Sequence, residues 1–168
     1  MTVKTKLCFR KLTEKDLQDF KTIRLEALKA HPESFLGCYE HESAQPDSFV
    51  KKSINHDMVV GCYKNGKLLG IIGYYVVTPE GKREHSAKIW GFYIRPDYRG
   101  RGFAKKLFNE ILDEAAKVTE KALLKVNTKN RSAIKLYRAL GFEKYGLERK
   151  SLKIGQNYYD DWLMVKFF

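Results

Sequence analysis

The stretch Ile94-Arg95-Pro96-Asp97-Tyr98-Arg99-Gly100-Arg101-Gly102-Phe103-Ala104 constrains the fold more than any other part of the chain. It follows an apolar run that reads as a strand, breaks at Pro96, turns through two glycines and enters a helical pattern. From Gly102 onward Phe103, Leu107, Phe108, Ile111, Leu112 and Ala115 share one face at helical spacing. A strand, a glycine turn and a helix in that order put the helix's unpaired first-turn N–H groups at the end of a sheet, where the macrodipole adds partial positive charge. That is an anion site. Gly100 and Gly102 would let a pyrophosphate approach the backbone closely, and Arg99, Arg101 and Lys105 add charge around it. The same glycines would also serve as a plain turn between strand and helix.

On either side, strands and helices alternate. Lys6 to Leu12 reads as a first strand. Thr13, with Asp16 three residues on, caps a helix carrying Leu17, Phe20, Ile23, Leu25, Ala27 and Leu28, which ends before His31-Pro32. A short helix near Asp47 to Ile54 precedes two strands, Met58 to Tyr63 and Leu68 to Val77, joined through Asn65-Gly66, a strong hairpin signal. A third long strand covers roughly His85 to Ile94. Ala122 to Val126 is a short strand, Asn130 caps a helix with Ala133, Leu136, Tyr137 and Leu140 inward, and Gly141 suits its left-handed end. Glu143 to Leu152 and Tyr158 to Phe168 close the chain as two antiparallel strands. Early hairpins and a late strand–helix–strand unit predict an α/β (α+β) fold. We expect one domain over residues 1–168, with a mixed, mostly antiparallel sheet of about seven strands flanked by about four helices.

Composition excludes several classes. Of 168 residues, 43% are hydrophobic and 31% charged, a globular balance rather than a disordered one. The apolar runs reach strand length, well short of the ~20 residues that span a bilayer. The first residues show no signal-peptide core, and Cys8, Cys38 and Cys62 are odd in number and scattered, so a cytoplasmic protein with reduced thiols is expected. A net charge of +12 calls for an anionic partner. The charge is spread along the whole chain with no nucleic-acid-binding signature, which counts against nucleic acid; a cofactor with several phosphates would use the same potential, and simple solubility is a third reading that composition alone leaves open. The four histidines form no ligand pattern, and Cys38-x-x-His41 alone is too little for zinc, so no metal is expected.

Arg99-x-x-Gly102-x-Ala104, preceded by Ile94-Arg95-Pro96, resembles the pyrophosphate loop of the GNAT acetyltransferases. At the expected distance, Asn130-x-x-Ala133-x-x-Leu136-Tyr137-x-x-x-Gly141-Phe142 is similar to that family's second signature. The run from Phe9 to Asp16 and the ending Tyr158-Tyr159-Asp160-Asp161-x-x-Met164 fit as well, so the resemblance spans essentially the whole chain. It implies an N-acetyltransferase of GNAT fold that moves the acetyl group of acetyl-CoA onto a primary amine by direct attack in a ternary complex. The acceptor would be a small-molecule or peptide amine, and many relatives are homodimers. Two other readings stay open: an acetyl-CoA-binding sensor without catalysis, and a basic nucleic-acid-binding domain that leaves both blocks as coincidence.

The resemblance also implies roles. The strand ending at Ile94 would splay from its neighbour, with Phe92, Tyr93 and Ile94 lining the cofactor and a backbone N–H polarising the thioester carbonyl. Arg99, Gly100, Arg101, Gly102, Phe103, Ala104 and Lys105 would form the pyrophosphate loop. Tyr137 would protonate the departing thiolate, although a core aromatic at that position looks the same. Asn130 would touch the cofactor, cap its helix, or both. The positions where relatives place a general base hold Lys88, Trp90 and Lys125, none of them a proton acceptor. A base would then come from Glu40 or Glu42 after the first helix, or from Asp160 near the last strand. Otherwise the amine arrives neutral: at pH 7 an α-amine of pKa near ~8 is about a tenth neutral, an alkyl amine near ~10.4 about one part in a thousand.

Overall fold

Asn65 and Gly66 both adopt left-handed backbone conformations, φ 51° and 79°. They fold β2 (Met58–Lys64) back onto β3 (Lys67–Val76) in antiparallel register, as an Asn-Gly turn requires. The computed structural model describes residues 7–168, so Lys6, the expected start of the first strand, lies outside the described residues. β1 (Leu7–Lys11) pairs with the outer edge of β2. β4 (Ser86–Ile94) pairs antiparallel with β3. Five further elements follow in order: α4 (Phe103–Ala116), β5 (Lys121–Asn127), α5 (Arg131–Ala139), β6 (Glu143–Ile154) and β7 (Asn157–Phe167).

The seven strands form one sheet in the order β1-β2-β3-β4-β5-β7-β6, parallel at β4–β5 and antiparallel at every other pairing. The parallel pair is bridged by α4, the crossover that a parallel connection needs. Among the described residues, five α-helices flank the sheet, one more than the sequence pattern suggested. The addition, α2 (Tyr39–Ser43), is too short for any apolar period to announce it.

The core lies on both faces of the sheet. On one, Leu107, Phe108, Ile111 and Ala115 of α4 are fully enclosed against β2 to β5, joined by Tyr137 and Leu140 and by Phe142 beyond α5. On the other, Phe20, Ile23 and Ala27 of α1 (Leu17–Ala30) pack with Val50 and Ile54 of α3 (Asp47–His56) over β2 and β3. Burying side chains of this size contributes about 1.5–3 kcal/mol each, enough to fix both helices against the sheet. The Thr13–Asp16 capping box forms as expected and opens a 3-10 turn, Glu14–Asp16, that runs into α1. Asp16 also takes two hydrogen bonds from Arg10 and one from the Tyr63 hydroxyl, tying the start of α1 to β1 and β2.

Candidate active site

The ladder between β4 and β5 holds at three positions, Ser86–Lys88 against Lys121–Leu123, and then stops. The cause sits in β4 itself. Ile71 faces Tyr93 and Gly73 faces Trp90, so Gly91 and Phe92 together stand opposite Ile72 in a β-bulge. Gly91 carries φ +68°, which only glycine adopts freely. The bulge turns the end of β4 away from β5 and opens a cleft of about 520 Å³. Arg95 N–H bonds back to Leu69 on β3 at 2.9 Å, so strand alternation turns the Phe92 and Ile94 amides toward the cleft. Phe92, Tyr93 and Ile94 all line it.

At the cleft's outer end the chain makes a 3-10 turn, Pro96–Tyr98, and passes through Gly100 (φ 71°) and Gly102 (φ 77°) into α4. A Cβ built on either glycine would meet nothing within 4 Å, so the loop encloses open space above bare backbone. No side chain caps α4 and no acidic residue occupies its first turn, which leaves those N–H groups to an anion. Gly100, Gly102 and Ala104 line the cleft. Arg101 and Lys105 are exposed at its rim, and Phe103 packs against the core instead. Arg99 lines the cleft but bonds inward: its Nε–H donates to the carbonyl of Ile94, and its outer guanidinium nitrogen lies 3.2 Å from His31 Nε2.

The opposite wall comes from β5 and α5. Asn130 caps α5, its Oδ1 accepting the Ala133 N–H at 3.1 Å, and also lines the cleft, so the structural and ligand-facing readings are compatible. Tyr137 lines the cleft from below, 8% exposed, with its ring 5.2 Å from Phe108, 6.1 Å from Phe142 and 6.5 Å from Phe92. Burial pushes its phenol above the ordinary tyrosine range, which keeps the proton on.

Glu40, Glu42 and Asp160 do not line the cleft. Glu40 is exposed and accepts from the Cys38 thiol. Glu42 is held by Arg24 through two bonds of 2.8 and 3.0 Å, and Arg24 in turn stacks between Phe35 and Trp90. Asp160 accepts the Lys150 N–H in the β6–β7 hairpin. The cleft's carboxylate is Glu33, beside His31, on the 31–35 segment that folds across the opening, where the Asn127 amide grips the Glu33 carbonyl at 3.2 Å. In the sequence His31-Pro32 marks a helix end, and nothing local sets Glu33 apart from Glu40 and Glu42 in the segment that follows. Lys88 and Trp90 face the α1 side of the sheet, and Lys125 lines the cleft while paired with Glu148. Among the described residues, no group of three or more His, Cys, Asp or Glu is arranged to hold a metal, and no helix is long and apolar enough to cross a membrane.

Comparison with known proteins agrees with this geometry. Residues 21–142 match the model of the acetyltransferase (GNAT) family. N-alpha-acetyltransferase RimI of Mycobacterium tuberculosis is 32% identical over 99 residues, covering 59% of this chain and 60% of its own length, so the match spans less than two thirds of that relative. A GNAT acetyltransferase from Streptococcus pneumoniae superposes with a TM-score of 0.85 at 19% identity over 97% of this chain and 99% of that one. YncA from Salmonella typhimurium, solved with acetyl-CoA, superposes with a TM-score of 0.81 at 15% identity over 96% and 94%. The matched span holds both the glycine loop and the Asn130–Phe142 block, and the splayed strands lie between them in space: this chain belongs to the GNAT acetyltransferase family.

Proposed function

We propose that the protein transfers the acetyl group of acetyl-CoA to the α-amine of a small molecule or peptide, by direct attack within a ternary complex. One observation carries this: a single cleft runs from the uncapped N-terminus of α4, past the unpaired amides of β4, to the Tyr137 ring. The residues present fit acetyl-CoA. Open backbone at Gly100 and Gly102 suits a pyrophosphate, and the Phe92 and Ile94 amides suit the polar groups of an extended pantetheine arm.

Acetyl-CoA supplies an activated acyl group and a thiolate leaving group. The chain supplies position and charge. A Phe92 or Ile94 N–H aimed into the cleft would stabilise negative charge on the carbonyl oxygen as the amine attacks, an effect typically of about 3 kcal/mol per donor in other enzymes. Tyr137, kept protonated by burial, would hand its proton to the departing sulfur. With lysines and a tryptophan where relatives keep a base, the amine must come largely neutral or lose its proton to Glu33 or His31, directly or through water. An α-amine meets that demand more readily than a lysine side chain. The name of the mycobacterial relative, an N-alpha-acetyltransferase, supports the same acceptor class. We take residues 1–168 as one catalytic domain and place it in the cytoplasm, where its three free cysteines would stay reduced.

The test is thiol release from acetyl-CoA across a panel of amino acids, peptides with free N-termini, polyamines and acetyl-blocked lysine peptides. Turnover confined to α-amines is the expected result. Tight acetyl-CoA binding with no thiol released on any amine would replace the proposal with a sensor, and turnover of lysine peptides alone would refute the α-amine.

A further inference from the structure

Two lysines stand side by side on the α1 face of the sheet, Lys125 in the lining of the cleft and Lys88 next to it, outside that lining. Lys88 pairs across the parallel ladder with Leu123, and Lys125 is two residues further along β5, so alternation puts both side chains on one face. Trp90, of the same parity as Lys88, identifies that face: its ring meets Phe20 of α1 edge-on at 6.4 Å. Beyond β4 this face meets the Pro32–Ser34 turn at β5 and β6, and it carries the half-buried Leu123, Leu163 and Val165. Lys125 lines the cleft and is ion-paired with Glu148.

Lys88 is half-buried and has no ion pair or side-chain hydrogen bond among the described residues. Burial pushes its ammonium below the usual lysine range, the nearby Lys125 and Arg83 push the same way, and Glu148 opposes them. A partly desolvated ammonium beside a second one is a cost that the chain's own residues offset only in part, through Glu148. An arriving carboxylate would compensate it, whereas a polyamine or a lysine-rich peptide would meet like charge.

We propose that Lys88 and Lys125 form an anion subsite for the acceptor, which therefore carries a carboxylate close to the amine it presents. The proposal rests on the α-amine acetylation argued above and deepens it by naming the acceptor as an acidic one. The carboxylate has two sources of the same chemistry, the α-carboxylate of a free amino acid or the side chain of an acidic residue near a peptide N-terminus.

The experiment compares kcat/KM for matched acceptors: Ala-Asp, Ala-Asn and Ala-Lys tetrapeptide amides, and free amino acids against their amides. We expect the acidic member of each productive pair to win by tenfold or more over its neutral isostere and by more over the lysine peptide. Preference among peptides locates the carboxylate on a side chain, and preference for free amino acids over amides locates it on the α-carbon. Lys88→Gln should shrink the acidic-to-neutral ratio to about twofold, Lys88→Glu should invert it, and Lys88→Arg should retain it and show that the site still folds. An acidic-to-neutral ratio near one in the wild type, or a ratio unmoved by Lys88→Glu, would overturn the subsite. If no amine is turned over, the acetyl transfer fails but the subsite is still read, by calorimetric titration of the acetyl-CoA-loaded protein with the Asp and Asn peptides. Equal affinities there would overturn it too.

Discussion

The Arg99 Nε–H donates to the carbonyl oxygen of Ile94 at 2.8 Å, so the leading arginine of the glycine loop fastens its own turn to the end of β4. Its guanidinium also lies 5.4 Å above the Tyr93 ring. We propose that this side chain acts on acetyl-CoA binding chiefly by holding the loop's shape. Arg99→Ala should therefore weaken acetyl-CoA binding by about tenfold or more, since hydrogen bonds from charged groups contribute about 1.5–3 kcal/mol. Arg99→Lys should fail to rescue, because an ammonium cannot reproduce the planar fork. Calorimetric titration with acetyl-CoA measures both, and full rescue by lysine would mean that charge alone matters.

Gly102 sits at φ 77° as the N-cap of α4. A β-branched residue there is strained by about 1–2 kcal/mol and also points its side chain into the loop. Gly102→Val should lower Tm by a few degrees and abolish the rise in Tm that acetyl-CoA gives the wild type. Thermal scans at increasing acetyl-CoA settle it: a variant that melts lower but keeps the full ligand shift would show that the loop does not hold the pyrophosphate.

Tyr137 presents its phenol to the cleft from a largely buried ring. Tyr137→Phe should reduce kcat by roughly 10²–10⁴-fold while leaving acetyl-CoA affinity and Tm nearly unchanged. The pH profile carries a second expectation. The tyrosine must be protonated to act, and burial raises its pKa above the ordinary value of 10.0, so activity should rise with pH through the amine's own pKa and show no falling limb before pH 10. A falling limb near pH 8 would assign the acid to another group.

The carboxylates divide by what holds them. Glu40→Gln and Asp160→Asn should each cost less than tenfold in kcat/KM, since neither lines the cleft. Glu42→Gln should act on stability instead, by stranding Arg24, whose side chain is only 14% exposed. Glu33→Gln tests the cleft's own carboxylate. A hundredfold loss there, with acetyl-CoA affinity intact, would identify Glu33 as the base and discard the neutral amine.

Asp16 is held well below the usual carboxylate range by the Arg10 guanidinium, with the Thr13 amide and Tyr63 hydroxyl assisting against the cost of burial. A depressed pKa contributes stability that is fully present above the unfolded value near ~3.9 and is lost as pH falls below it toward the folded value. Asp16→Asn should therefore be much less stable than wild type at pH 6, with the gap narrowing as pH drops from 4 to 2. Urea denaturation across that range measures the gap. A constant difference would mean that Asp16 acts through packing rather than charge.

What the sequence disclosed was written locally. Asn65-Gly66, the Thr13–Asp16 box, the Asn130 cap and the apolar stripe of α4 each involve residues a few positions apart, and each formed where its chemistry required. The glycine loop was legible as a turn into a helix for the same reason, whereas a role for Tyr137 came only from the family resemblance and stays a proposal. The cleft's lid was not legible. Glu33 and Phe35 take their places because Asn127, far along the chain, holds the Glu33 carbonyl, and because Arg24 joins Glu42 beneath Phe35. Gly91 looked like any strand glycine, since a bulge shows only in the register between β4 and β3. Lys88 and Trp90 were placed at the right strand positions, but which face they share depends on that same register.

β7 is the last strand in sequence, yet it lies inside the sheet, between β5 and β6. While a ribosome is still producing residues 157–167, the hairpin partner β6 has nothing to pair with and the outer edge of β5 stands open. Until that strand emerges, the wall bearing Tyr137 hangs on three ladder positions beside β4 and on the packing of α5. A nascent chain of this protein is therefore one open-edged sheet, exposed to pairing with its neighbours on a polysome. Insertion of β7 joins β5 to β6 and closes that edge.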